Sequence, residues 1–222
     1  MVKNLYVIMF IICLFAPAGG CRQERSDSEE SQANSETMKT IVAVGDSLTA
    51  GFGHDESNSY PALLEKKLQA AGYKYRVVNG GVSGETSSGT LSRMEWILTL
   101  KPDIVILETG ANDGLRGIDT QIVEKNIRDI LQLLEGRDVV VLLAGMKMVW
   151  NLGPAYVSRF NSIYPKLAEE FDVLFFPFFL EGVATRSDFN LNDGIHPNAQ
   201  GYKVIMENIY PYVVEAIERR EN

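Results

Sequence analysis

Cysteine is nearly missing from this 222-residue chain: Cys13 and Cys21 are the only two, within and at the edge of an N-terminal apolar run. The body of the protein is therefore left without a disulfide, a thiolate nucleophile or a cysteine-ligated zinc. Histidine is almost as scarce, so any imidazole base has to be His54 or His196. Basic charge is in deficit, with 21 Lys and Arg against 29 Asp and Glu. The resulting net charge of −8 offers no basic stripe to neutralise phosphates, which argues against nucleic acid as a partner. The apolar run Leu5 to Ala16 is too short for a membrane span. A hydrophobic fraction of 45% and a charged fraction of 23% are otherwise ordinary for a globular protein, and the length permits one large domain or two small ones.

The N-terminus has the architecture of an export signal over residues 1–20: Lys3, then the apolar run, then the small residues Ala18-Gly19-Gly20. Small residues directly before Cys21 resemble the lipobox of bacterial lipoproteins, in which the cysteine becomes the lipidated first residue. Ala16-Pro17-Ala18 reads alternatively as an A-x-A cleavage site that would release a soluble protein. From Arg22 to Thr37 the chain is Ser, Glu, Gln and Asn with almost nothing apolar, so residues 21–38 are expected to be a lipidated Cys21 and a disordered linker. The expectation is an exported protein, held to a membrane by a lipid anchor and facing the periplasm or the cell exterior, with its single folded domain at 39–222.

From residue 39 onward, apolar runs of strand length alternate with segments of helical period and no second linker intervenes. Strands are expected at Ile41 to Val44, Arg76 to Asn79, Asp103 to Leu107, Val139 to Leu143 and Val173 to Phe176. Helices are expected from Tyr60 to about Gly72, through Leu91 to Leu98, from Thr120 to Leu134 and from Tyr156 to Phe171. A last helix should follow Pro197, whose fixed φ suits a first turn, with a kink at Pro211. Such alternation implies a parallel sheet covered by helices on both faces, a three-layer α/β/α sandwich, and ligands in such folds bind beyond the carboxyl ends of the strands.

Chemically suggestive residues do follow strands. Gly45-Asp46-Ser47-Leu48-Thr49-Ala50-Gly51 comes directly after the first, and a strand ending on glycine before a hydroxyl-rich turn can expose a serine nucleophile; Ser47 and Thr49 equally suit a helix cap. A serine needs a base, and the base needs a carboxylate to hold its tautomer. In Asn192-Asp193-Gly194-Ile195-His196-Pro197, Asp193 could serve His196 across one tight turn, although a plain turn and cap would read the same way. His54, in a polar loop, reads as an exposed loop residue. The Ser47 N–H, the Gly84 N–H and the Asn112 amide are candidate donors for a developing oxyanion.

Gly45-Asp46-Ser47-Leu48, the loop ending Val82-Ser83-Gly84-Glu85-Thr86, Gly110-Ala111-Asn112-Asp113 and Asp193-Gly194-Ile195-His196-Pro197 resemble, in order, the four blocks of the GDSL, or SGNH, hydrolases. Gly110 to Gly117 and Ile163 to Glu170 are similar to the exported bacterial branch of arylesterases and thioesterase/lysophospholipases. The resemblance implies Ser47 as nucleophile, His196 as base, Asp193 as orienting acid, and Ser47 N–H, Gly84 N–H and Asn112 as oxyanion donors, Gly84 being favoured over the neighbouring Gly81. It implies a flavodoxin-like five-stranded sheet of order 2-1-3-4-5, and neither cofactor nor metal. The apolar segments after strands three to five suit an acyl chain or aryl group better than a sugar, with Leu115, Met146, Met148 and Trp150 as candidate walls and Phe178 and Phe179 as core. The expected reaction is hydrolysis of small acyl esters or thioesters through an acyl-enzyme. The rivals are a carbohydrate acetylesterase on the same fold and a non-catalytic flavodoxin-like binding module.

Overall fold

A computed structural model describes residues 38–148 and 152–222. The leader, Cys21, the linker before residue 38 and Trp150 lie outside the described residues. Five parallel strands form one sheet: β1 (Lys39–Gly45), β2 (Tyr75–Gly81), β3 (Ile104–Glu108), β4 (Val140–Ala144) and β5 (Leu174–Phe176), in the order β2-β1-β3-β4-β5. Strand order reverses between β1 and its neighbours β2 and β3, as expected for a flavodoxin-like sheet. Ile41 to Val44, Ile104 to Leu107 and Leu142 to Ala144 are all buried, which is why these strands read as continuous apolar runs and not as alternating ones.

Eight α-helices lie among the described residues. They are α1 (Ser47–Ala50), α2 (Tyr60–Ala70), α3 (Ser87–Ser92), α4 (Met94–Thr99), α5 (Ala111–Leu115), α6 (Thr120–Leu134), α7 (Pro154–Glu170) and α8 (Ala199–Glu221). Helix α2 packs on α8, while α6 lies between α3 and α7, giving the two helical layers of the sandwich. Helix α6 shows why the longer helices were legible: Val123, Ile127, Ile130, Leu131 and Leu134 form one buried stripe, and Gly136 follows its end at φ +71°. Among the described residues no helix is long and apolar enough to cross a membrane.

Three local expectations change. The single helix expected through Leu91 to Leu98 is two, because Arg93 leaves helical geometry between α3 and α4 and turns its guanidinium onto Glu85. Pro197 is not in the first turn of α8. It bridges Asn190, and Asn198 caps the helix by accepting hydrogen bonds from the Gln200 and Gly201 N–H groups at 2.9 and 3.0 Å. Helices α1 and α5, four and five residues long, were not anticipated, and both carry residues of the site.

Candidate active site

The first component is set by the turn out of β1. Asp46 caps α1, its Oδ1 accepting the Leu48 N–H at 2.9 Å, and Ser47 becomes the first helical residue. Ser47 is therefore not itself the cap, and its side chain is released from that task. Gly45 is required by close approach: a Cβ there would stand 2.1 Å from Thr49 Oγ1. Gly51, at φ +83°, ends the helix after one turn by donating to the Ser47 carbonyl.

The second component is held by α8. Its Asn198 cap, the Asn190–Pro197 bridge and the 2.8 Å bond from the Leu191 N–H to the His196 carbonyl fix the turn that bears the imidazole. His196 Nε2 lies 3.0 Å from Ser47 Oγ, and Nδ1 lies 2.8 Å from Asp193 Oδ2. A carboxylate can only accept, so the hydrogen is on Nδ1 and Nε2 is left as the acceptor for the Ser47 hydroxyl. Asp193 Oδ1 accepts from the His196 and Ile195 N–H groups at 3.0 and 2.9 Å. The His196 N–H, the imidazole and the Ile195 N–H together pull the Asp193 pKa down to about 2. Phe52 packs on the imidazole with ring centroids 4.3 Å apart.

Of the three expected oxyanion donors, Ser47 and Asn112 line the cavity described below and Gly84 does not. Asn112 is the second residue of α5, which follows Gly110, whose φ of +100° and lack of a Cβ let the Tyr164 hydroxyl approach; that hydroxyl donates to the Thr109 carbonyl at 2.9 Å. One hydrogen of Asn112 Nδ2 is donated to Asp46 Oδ2 at 3.0 Å, and the other remains for a ligand. Gly84 is exposed at φ +78°, its carbonyl accepting from the Arg116 guanidinium at 2.8 Å. The N–H groups of Ser47 and Gly84 donate to no other described residue. Gly81 has a different reason to be glycine: it closes β2, where a Cβ would meet the Ala50 nitrogen at 2.2 Å.

A cavity of about 700 Å³ opens from Ser47 and His196, within the size range of small-molecule sites. Leu115, Met146 and Met148 are among its walls, as expected, while Trp150 lies outside the described residues. Phe178 also lines it, where core was expected; only Phe179 is core. His54 departs from its expected exposed loop position: it is half-buried, with Nε2 3.3 Å from the Pro197 carbonyl and its ring edge-on to Tyr202. Leu180, Glu181, Gly182, Ala184 and Thr185 also line the cavity, and of these only Leu180 belongs to the apolar segment after β5. Nothing in the sequence marks Gly182, Ala184 or Thr185, because residues 180–185 have neither strand nor helix period. Among the described residues, no group of three or more His, Cys, Asp or Glu side chains could hold a metal ion.

The sequence model of the GDSL-like Lipase/Acylhydrolase family matches residues 43–204. The chain is 39% identical to Esterase TesA of Pseudomonas aeruginosa over 174 residues, 78% of this chain and 87% of that protein. It is 41% identical to Thioesterase 1/protease 1/lysophospholipase L1 of Escherichia coli over 169 residues, covering 76% and 80%. The crystal structure of TesA superposes with a TM-score of 0.77 at 38% identity, covering 80% of this chain and 99% of that one.

Proposed function

The chain belongs to the GDSL-like lipase/acylhydrolase family, and on that premise we propose that it hydrolyses carboxylic esters or thioesters of acyl chains through an acyl-enzyme on Ser47. The observation that carries this reading is the unbroken line from Ser47 Oγ to His196 Nε2 at 3.0 Å and from His196 Nδ1 to Asp193 Oδ2 at 2.8 Å. His196 takes the hydroxyl proton as Ser47 Oγ attacks the acyl carbonyl, and Asp193 stabilises the imidazolium that forms. The new oxyanion is met by the Ser47 and Gly84 N–H groups and by the Asn112 hydrogen not given to Asp46. As the tetrahedral adduct collapses, His196 returns the proton to the leaving oxygen or sulfur. Water then repeats the attack on the acyl-enzyme with His196 as base.

The walls favour an acyl chain: Leu115, Met146, Met148, Phe178 and Leu180 offer carbon and sulfur surface, whereas a sugar would need many side-chain hydrogen bonds. The same reading includes export by residues 1–20 and attachment of the domain to a membrane through a lipid on Cys21. A panel of p-nitrophenyl esters from acetate to palmitate, run beside the corresponding thioesters and a Ser47→Ala control, tests the catalytic part. Turnover should extend to chains longer than acetate, and Ser47→Ala should lose both turnover and labelling by a fluorophosphonate. A label on any other serine, or activity confined to acetate, would overturn it.

A further inference from the structure

Glu108, the last residue of β3, is fully buried and has no part in the steps above. Its Oε2 accepts the Asp46 N–H at 3.1 Å and the Thr49 hydroxyl at 3.0 Å. Its Oε1 is also buried and receives no hydrogen bond from any described residue. The approach is permitted by Gly45, since a Cβ at that position would stand 2.5 Å from Oε2. That 3.1 Å bond from the Asp46 N–H holds the Glu108 carboxyl beside Asp46. Asp46 is itself only 1% exposed, and its two oxygens accept from the Leu48 N–H and from Asn112 Nδ2.

The groups facing this pair do not neutralise it. Asp46 approaches Glu108 from the β1–α1 turn, Tyr60 from α2, Tyr164 from α7 and Tyr202 from α8, while His196 faces Asp46. Arg93 comes near enough to donate to the Gly45 carbonyl, but its charge is matched by a multiple contact with Glu85. Among the described residues, neither buried carboxyl receives a hydrogen bond from a lysine or arginine. Two neighbouring carboxyls removed from water do not both ionise, and the one with the orphaned oxygen is the one that gains by keeping a hydrogen. Burial, and then the Asp46 charge, hold the Glu108 carboxyl well above the usual carboxylate range.

We propose that Glu108 is a positioning residue for the oxyanion donor Asn112: as a neutral carboxylic acid it donates to the Asp46 carboxylate, which in turn aligns the Asn112 amide. The proton stays on Glu108 throughout, so the buried layer beneath the oxyanion carries one negative charge and not two. Glu108 acts only through Asp46 and Asn112 and touches no substrate. The inference rests on Asn112 as an oxyanion donor, as proposed above.

Glu108→Gln keeps a donor for Asp46 and an acceptor for the Asp46 N–H, whereas Glu108→Leu is neutral but can do neither. In the full-length protein, Glu108→Leu should lower kcat by about 10- to 100-fold with KM unchanged, a part of what one oxyanion donor contributes, and Glu108→Gln should restore most of it. In an Asn112→Ala background Glu108→Leu should cost little more, because the amide it positions is gone. The infrared difference between wild type and Glu108→Gln at neutral pH should contain the C=O stretch of a protonated carboxyl, and this readout stands even if Glu108→Leu fails to fold. No such band, a Glu108→Gln variant as slow as Glu108→Leu, or full additivity with Asn112→Ala would overturn the proposal. Fluorophosphonate labelling of wild-type Ser47 is the control. Its failure would sink the hydrolase reading while leaving the infrared result interpretable.

Discussion

Ser47 owes its position to side chains that never meet substrate. Asp46 relieves it of capping α1 and also takes one hydrogen of Asn112, so a single carboxylate orients both the backbone of the candidate nucleophile and a candidate oxyanion donor. Removing the amide by Asn112→Ala should reduce kcat by about 10² to 10³, measured by steady-state hydrolysis, with fluorophosphonate labelling still confined to Ser47. Asp193 makes a second prediction. Its folded pKa of about 2 lies below its ordinary value, so it binds fewer protons folded than unfolded, and its stabilising effect is present above the unfolded pKa. That effect is lost as pH falls from about 4 toward 2, in the order of a depressed carboxylate. Asp193 stays ionised far into the acid range, so its own protonation should leave kcat/KM untouched until the pH falls below about 4. Asp193→Asn should lower kcat by about 10⁴ by destroying the tautomer, and a pH–rate series on both proteins checks the two statements. At this scale legibility followed sequence distance. Asp193 and His196 share one turn and could be paired from spacing, whereas Glu108 looks like the end of an apolar strand, and its partner Asp46 is 62 residues away.

The elements that matter most for the site are the ones a periodic reading could not find. A helix of four or five residues completes little more than one turn, so α1 and α5 have no apolar stripe to detect; only their glycines and Asp, Ser or Asn residues announced a turn. The longer α2, α6 and α7 were legible because each buries a repeated face. At α8 the reading went wrong by one device: Pro197 suggested a first turn, but the Asn198 side chain satisfies two backbone donors and so defines the start. That cap also anchors the loop behind the imidazole, since Asn198 Nδ2 donates to the Asp188 carbonyl at 2.9 Å and the Asn198 N–H to the Phe189 carbonyl at 2.8 Å. Asn198→Ala should therefore cost about 1 kcal/mol in urea denaturation and lower kcat as well, because the helix end and the His196 turn are one construction. A loss of stability with kcat unchanged would mean that the turn is held without the cap.

At the scale of the molecule, five parallel strands bring everything after their carboxyl ends to one side. Asp46 and Ser47 follow β1, Gly84 follows β2, Asn112 follows β3, Met146 and Met148 follow β4, and Phe178 and His196 follow β5. The alternation of apolar runs was enough to infer this arrangement in kind, but not the order of the strands, which came from the resemblance of four short blocks to a family. The cavity wall was less legible still, because Leu180 to Thr185 joins it through a segment with no period of its own. The amino ends of the strands have the opposite character. β1 begins at Lys39, and no candidate catalytic or cavity-lining residue precedes Asp46. Catalysis and attachment should therefore separate cleanly. A chain beginning at Met38 should hydrolyse a soluble p-nitrophenyl ester with the kcat/KM of the full-length protein. Cys21→Ala in the full chain should keep the same kcat/KM while moving the protein from the membrane fraction to the soluble one. Circular dichroism would establish that the shortened chain is folded; if it is folded and inactive, residues 1–37 contribute to the site, and the division argued from the strand ends fails.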